Sequence, residues 1–70
     1  MQIIPHVPRG WMKVSLAART ARVPVSRANA LIVNGAIPVA IDGAGYMWVN
    51  RDSLRIGATN AGYLTTIQNQ

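Results

Sequence analysis

No cysteine and no phenylalanine occur in the 70 residues, histidine occurs once, and the acids number two. Without cysteine, neither a disulfide framework nor a thiolate metal site can reinforce so short a chain. A chain of this size buries only about 60% of the surface its unfolded form exposes, which limits it to one domain with a small core. Without phenylalanine, that core has to be mainly aliphatic. Long apolar runs are missing as well. The longest, residues 28–41, is interrupted by Asn29, Asn34, Gly35 and Pro38, short of the ~20 residues that cross a bilayer. The first residues lack the charged start and apolar middle of a signal peptide, so the reading is a soluble cytoplasmic protein with no membrane partner.

The same shortages argue against an enzyme. His6 stands alone in the first segment, and Asp42 and Asp52 are the two acids, so neither a carboxylate pair nor a nucleophile with its base can be assembled. No His/Cys/Asp cluster has metal-ligand spacing, and no cofactor is expected. Asp42 reads as a turn residue and Asp52 as a favourable charge in the first turn of a helix. Gly43-Ala44-Gly45 lies within a hairpin rather than between strand and helix, which argues against a phosphate cradle.

What the chain does have is a one-sided positive charge. The formal balance is +5, and Arg9, Lys13, Arg19, Arg22 and Arg27 all precede the first acid, whereas Asp42, Arg51, Asp52 and Arg55 cancel. A localised excess of this sign suits a polyanion, since each Lys or Arg that neutralises a phosphate releases condensed counterion. Charge alone fits an acidic protein partner or a solubilising surface equally well.

Pro5, Pro8 and Gly10 exclude a helix or a central strand from residues 1–11, which read as an extended arm. Over residues 14–22 the spacing turns helical: Val14, Ala17, Ala18 and Ala21 share one face, Arg19 and Arg22 fall outside it, and Leu16 points away. A second helix starts at Pro24 or Ser26, both residues suited to a first turn. Its buried face holds Val25, Ala28, Leu31, Ile32 and Gly35, and Ser26, Asn29, Ala30 and Val33 lie opposite with Arg27 flanking. Gly35 stops it. A hairpin follows, with strands over residues 37–41 and 46–49 about a turn at Asp42-Gly43-Ala44-Gly45. Ile37, Val39 and Ile41 face the core, with Tyr46 and Trp48 opposite them. Asn50 caps a short third helix with Leu54 turned inward. Residues 57–70 read as a tail, either disordered or adding an edge strand over residues 63–67.

Val14, Ala17-Ala18, Val23, Leu31-Ile32, Gly35-Ala36-Ile37-Pro38 and the stretch Trp48-Val49-Asn50-Arg51-Asp52-Ser53-Leu54 together resemble the small excisionase-like, MerR-like DNA-binding family. The likeness runs without a gap over residues 14–38 and spans residues 12–55. It implies an α+β fold, a small winged helix-turn-helix of two to three short helices plus a β-hairpin wing, over residues 12–56. By the resemblance, the second helix enters the major groove of double-stranded DNA and reads bases with Val25, Ser26, Arg27, Asn29 and Ala30. Arg pairs with guanine, Asn with adenine, and small apolar groups touch a thymine methyl. Arg19, Arg22 and Lys13, with Arg9 from the arm, hold phosphates, which positions the domain without reading sequence. The wing, Asp42, Gly43, Ala44 and Gly45, touches an adjacent groove or its phosphates.

The resemblance also implies a bacteriophage or mobile-element role in a bacterial host cell, as an excisionase steering DNA recombination by an integrase, as a transcription regulator, or both. Cooperative binding to further copies of itself would strengthen a single weak module. Three departures stand out. Pro24 replaces a small polar residue, Asn29 a longer side chain, and the wing carries an acid with no cation, which should weaken its contact with DNA. The rival reading is a phage protein-interaction module that meets a host or virion protein through Leu16, Val33 and the tail.

Overall fold

The computed structural model describes residues 1–63, which form a small α+β domain of three helices and a four-stranded mixed sheet. In chain order the elements are β1 (Gln2–Ile4), β2 (Met12–Lys13), α1 (Val14–Ala21), α2 (Val25–Val33), β3 (Pro38–Ile41), β4 (Met47–Val49) and α3 (Arg51–Asn60). Among the described residues, no helix is long and apolar enough to cross a membrane.

The helices form where the spacing places them. Val14, Ala17, Ala18 and Ala21 are all buried on α1, and Leu16 is exposed. On α2 the buried stripe is Ala28, Leu31 and Ile32. Val25, expected on that stripe, is exposed; it opens the helix before the stripe begins. Pro24, not Ser26, is the residue that precedes α2. It has φ −57° and ψ 142° and makes no side-chain cap, and its carbonyl accepts from the amides of Arg27 and Ala28. Asn50 caps α3 as expected, its Oδ1 accepting from the Ser53 amide at 3.0 Å.

All three helices stop in the same way. The amides of Val23, Ala36 and Tyr63 reach back five residues to the carbonyls of Ala18, Leu31 and Ala58, at 2.8–2.9 Å. In each stop the preceding residue is left-handed: Arg22 at φ 59°, Gly35 at 78° and Gly62 at 81°. This double-bonded stop satisfies carbonyls that a helix end leaves free, and glycine is the usual occupant of its left-handed position. Only the first stop uses a residue with a side chain there.

The sheet order is β1-β3-β4-β2, with β1 parallel to β3 and the other pairs antiparallel. The extended residues 1–11 are therefore not a separate arm. Gln2–Ile4 forms an edge strand beside β3, and Gln2 Nε2 donates to the carbonyl of Gly35, tying the start of the chain to the stop of α2. Pro38 opens β3, a position where a missing amide is tolerated.

The hairpin register corrects one expectation. Ala40 pairs with Trp48 and Ile41 with Met47, while Met12 pairs with Val49 across the next ladder. Ile37, Val39 and Val49 are buried, Met12 and Met47 pack against the core, and Ile41 and Tyr46 are exposed. Tyr46 and Trp48 are thus not the core partners of β3. Because side chains alternate, a one-residue difference in register exchanges the faces of a whole strand.

Helix α3 also runs further than expected. It continues to Asn60, so the expected division at residue 57 falls inside it, and Ala58 is fully buried. Gly57 marks close packing rather than a helix end: a Cβ there would come 2.9 Å from Ile37 Cγ2 and 3.8 Å from Leu31 Cδ1. Alanine normally gains about 1 kcal/mol over glycine inside a helix. Here the obstructing methyl branches from the Cβ of a buried residue and cannot swing away, and overpacking costs about 1–3 kcal/mol. Gly57→Ala is expected to destabilise the domain by about 1 kcal/mol, read from the urea midpoint; a gain in stability would show that α3 stands further off. Residues 64–67 of the expected edge strand lie outside the described residues, and Tyr63 itself belongs to the stop of α3.

Candidate nucleic-acid interface

Two helices, α1 and α2, are joined by residues 22–24, and this unit carries Arg19, Arg22 and Arg27, all exposed. Arg19 lies in the last turn of α1, where a cation also complements the helix dipole. Arg22 occupies the left-handed position of the stop, and Arg27 projects from the first turn of α2. Elsewhere Asp52 lies 3.6 Å from Arg51 and 4.0 Å from Arg55. Among the described residues those are the ion pairs, so the positive charge of the first half remains unneutralised by them.

Arg22 has a structural cost. A left-handed conformation brings Cβ close to the following carbonyl oxygen and costs roughly 1–2 kcal/mol for a residue other than glycine. Arg22→Gly is expected to stabilise the domain by about 1 kcal/mol, raising Tm by about 4–8 °C for a domain of this size. Calorimetry checks this, and an unchanged or lower Tm would mean that the Arg22 side chain makes compensating contacts.

Of the five residues expected to read bases, Val25, Ser26 and Arg27 are exposed, while Asn29 and Ala30 are half-buried. Asn29 is poorly arranged for that task. Its Oδ1 is buried and has no hydrogen-bond partner, whereas pairing with adenine needs the amide oxygen and nitrogen together. In this rotamer the exposed first turn of α2 presents a compact surface with one long side chain, Arg27. That guanidinium lies 4.8 Å from the centre of the Tyr63 ring.

The four residues expected to hold phosphates come from three places in the fold. Arg19 and Arg22 are close in sequence at the end of α1. Lys13 immediately precedes that helix, six residues from Arg19, which is about 9 Å along the axis. Arg9 stands in a separate turn, with Gly10 at φ 89° and the Trp11 amide donating to the Pro8 carbonyl at 3.3 Å.

Lys13 belongs instead to the hairpin. It pairs with Trp48 across β2 and β4, and its ammonium lies 4.1 Å from the Tyr46 ring centre and 5.9 Å from that of Trp48. A cation therefore stands beside the turn that has none in its own sequence. Asp42, the acid of that turn, is engaged on both oxygens. Oδ1 accepts the amides of Ala44 and Tyr46, both at 2.9 Å, and Oδ2 accepts the Trp48 indole N–H at 2.8 Å. Gly45 completes the turn at φ 89°.

The Trp48 indole N–H and then the Tyr46 amide hold the Asp42 carboxyl below its ordinary value of 3.8; partial burial opposes them, and the Ala44 amide and Lys13 lower it further. A carboxyl whose folded pKa is depressed stabilises the fold above its unfolded pKa, and that contribution disappears as pH falls through the folded value. The amide resonances of Ala44 and Tyr46 are expected to titrate with a midpoint below 3.8, together with loss of the turn. A midpoint at or above that value would remove the carboxylate from its role.

No protein-family model, curated protein or solved structure matches this chain. The site therefore rests on its own geometry. The pairs Arg27–Tyr63, Lys13–Tyr46 and Asp42–Trp48 carry no signal in the order of residues. The last two follow once the hairpin register is known; the first depends on α3 ending beside α2.

Proposed function

We propose that this chain is a sequence-specific double-stranded DNA-binding protein of the winged helix-turn-helix kind, with α2 as the helix that enters the major groove. The observation that carries the reading is the α1–turn–α2 unit: three exposed arginines without ion pairs among the described residues, around a first turn of small side chains that permits close approach. Arg19 and Arg22 hold phosphates, and Arg27 with Val25 and Ser26 reads base edges. The hairpin turn meets an adjacent stretch of backbone through Lys13, because Asp42 directs its charge towards its own amides and indole. Arg22 explains itself in this setting: a strained arginine is kept where glycine would fold better because its charge is used.

The role we propose for the chain, suggested by the resemblance, is in phage or mobile-element recombination or transcription control, as an excisionase or a regulator. A single module buries only about 600–1,000 Å² of protein surface on DNA, so cooperative loading with an integrase or further copies suits it.

The test is selection from randomised duplex DNA with the purified chain. Enriched direct repeats support cooperative head-to-tail loading, and inverted repeats support a symmetric regulator. No enrichment at moderate salt removes base reading. The second reading, a protein-interaction module, is favoured by the exposure of Leu16 and Val33, at 49% and 65%. It gains if nothing is enriched.

A further inference from the structure

We infer that Tyr63 is a positioning residue for Arg27, so that the turn ending α3 forms part of the base-reading surface. This rests on the reading of α2 as the helix that enters the groove. An exposed arginine on a short helix samples many rotamers, and bidentate recognition of guanine requires one direction of its planar fork. Among the described residues Arg27 has no ion pair and no side-chain hydrogen bond; what it has is the Tyr63 ring, 4.8 Å from its guanidinium carbon.

The type of partner matters. A carboxylate would occupy the fork and cancel its charge, whereas an aromatic face attracts the cation through its quadrupole without neutralising it. The charge and the N–H donors stay available for a base. The ring orients Arg27 without competing for what it binds.

Tyr63 is itself held. Gly62 turns the chain at φ 81°, the Tyr63 amide donates to the Ala58 carbonyl at 2.8 Å, and the half-buried side chain packs against the core. Helix α3 is in turn seated on α2 and on Ile37, the residue before β3, through the close approach of Gly57 to Ile37 and Leu31. The ring is therefore fixed relative to the helix whose arginine it contacts. The comparable positions in the stops of α1 and α2 are Val23 and Ala36. Val23 is buried and Ala36 is exposed, so the stop needs at most a small apolar contact there. An aromatic ring at the third, under a cation, exceeds what the stop requires.

The experiment uses the full chain, the duplex enriched by selection, and its single-base variants. Arg27→Ala first locates the base pair at which discrimination is lost. Tyr63→Phe is expected to keep wild-type discrimination there. Tyr63→Leu is expected to lose about two- to five-fold at that base pair, with affinity for an unrelated duplex unchanged. In the free protein, the Arg27 Nε–Hε resonance should carry a ring-current shift in wild type and Tyr63→Phe and lose it in Tyr63→Leu.

Wild-type discrimination in Tyr63→Leu overturns the positioning role alone. Discrimination by wild type at no base pair overturns the base-reading helix and the positioning role with it. Should Tyr63→Leu fail to fold, absence of the ring-current shift in wild type overturns the contact directly.

Discussion

Leu54→Ala is expected to destabilise the domain by about 2–5 kcal/mol, the range for removing a fully buried leucine side chain. At about 0.05–0.15 kcal/mol per residue, a chain of this length has a total stability of only about 3–10 kcal/mol. The loss is therefore a large share of the whole. Leu54 is fully buried on α3, the helix that packs against both α1 and α2. Its neighbours cannot close the gap easily, because so much of the core is already alanine: Ala17, Ala18, Ala21, Ala28 and Ala58 are all buried. Those short side chains bring the helices close and leave the few larger ones, Leu31, Ile32, Leu54, Val39 and Val49, to fill the remaining space. Urea unfolding followed by tryptophan fluorescence reads the effect. A shift smaller than 1 kcal/mol would mean that α3 contributes little to the core, and the placement of Tyr63 would then lose its support.

The elements legible in the sequence were those set by neighbours close in the chain. The α1 stripe of Val14, Ala17, Ala18 and Ala21 follows from helical spacing alone, Gly35 from the conformation a helix stop demands, and Asn50 from the free amides of a first turn. What was not legible depends on residues far apart. Gln2–Ile4 becomes a strand because β3 offers it an edge more than thirty residues later, and Gln2 reaches Gly35 across the same distance. Gly57 looks like a helix end until Ile37 is placed beneath it. The acid of the hairpin turn looks unfavourable for DNA from the sequence because a count of charges does not show which are already engaged. Asp42 is occupied by Ala44, Tyr46 and Trp48, and the cation missing from the turn arrives from β2 as Lys13.

The candidate site divides along the same line. The exposure of Arg19, Arg22 and Arg27 was legible, because cations that fall outside an apolar helix stripe face solvent. Arg22's left-handed backbone and Arg27's aromatic partner were not. Asn29 shows the limit of transferring positions from a pattern: its place on the helix fits, yet its amide oxygen is buried without a partner. On the proposed reading of α2, the exposed part of its first turn is Val25, Ser26 and Arg27, with Tyr63 behind the arginine.

That reading gives Arg27→Ala the largest expected effect on recognition. One bidentate arginine contact discriminates a base pair by about 1–3 kcal/mol, which is about five- to 150-fold in relative affinity. Because Arg27 is the only long side chain in that turn, no neighbour substitutes for it, and the loss should fall on one base pair of each bound site. Arg19→Ala is the contrast. A phosphate contact carries no sequence information, so affinity should drop by a similar factor for every duplex, and the slope of log affinity against log salt should flatten by about one unit. Arg22→Gly should behave as Arg19→Ala does on DNA while raising Tm, which separates loss of charge from loss of fold. Affinities for the selected duplex, its single-base variants and an unrelated duplex, each at several salt concentrations, distinguish these outcomes. If Arg27→Ala weakens all duplexes equally and leaves the base preference intact, Arg27 is a phosphate contact. Helix α2 would then lie across the backbone, and the sequence would be read from another surface of the domain.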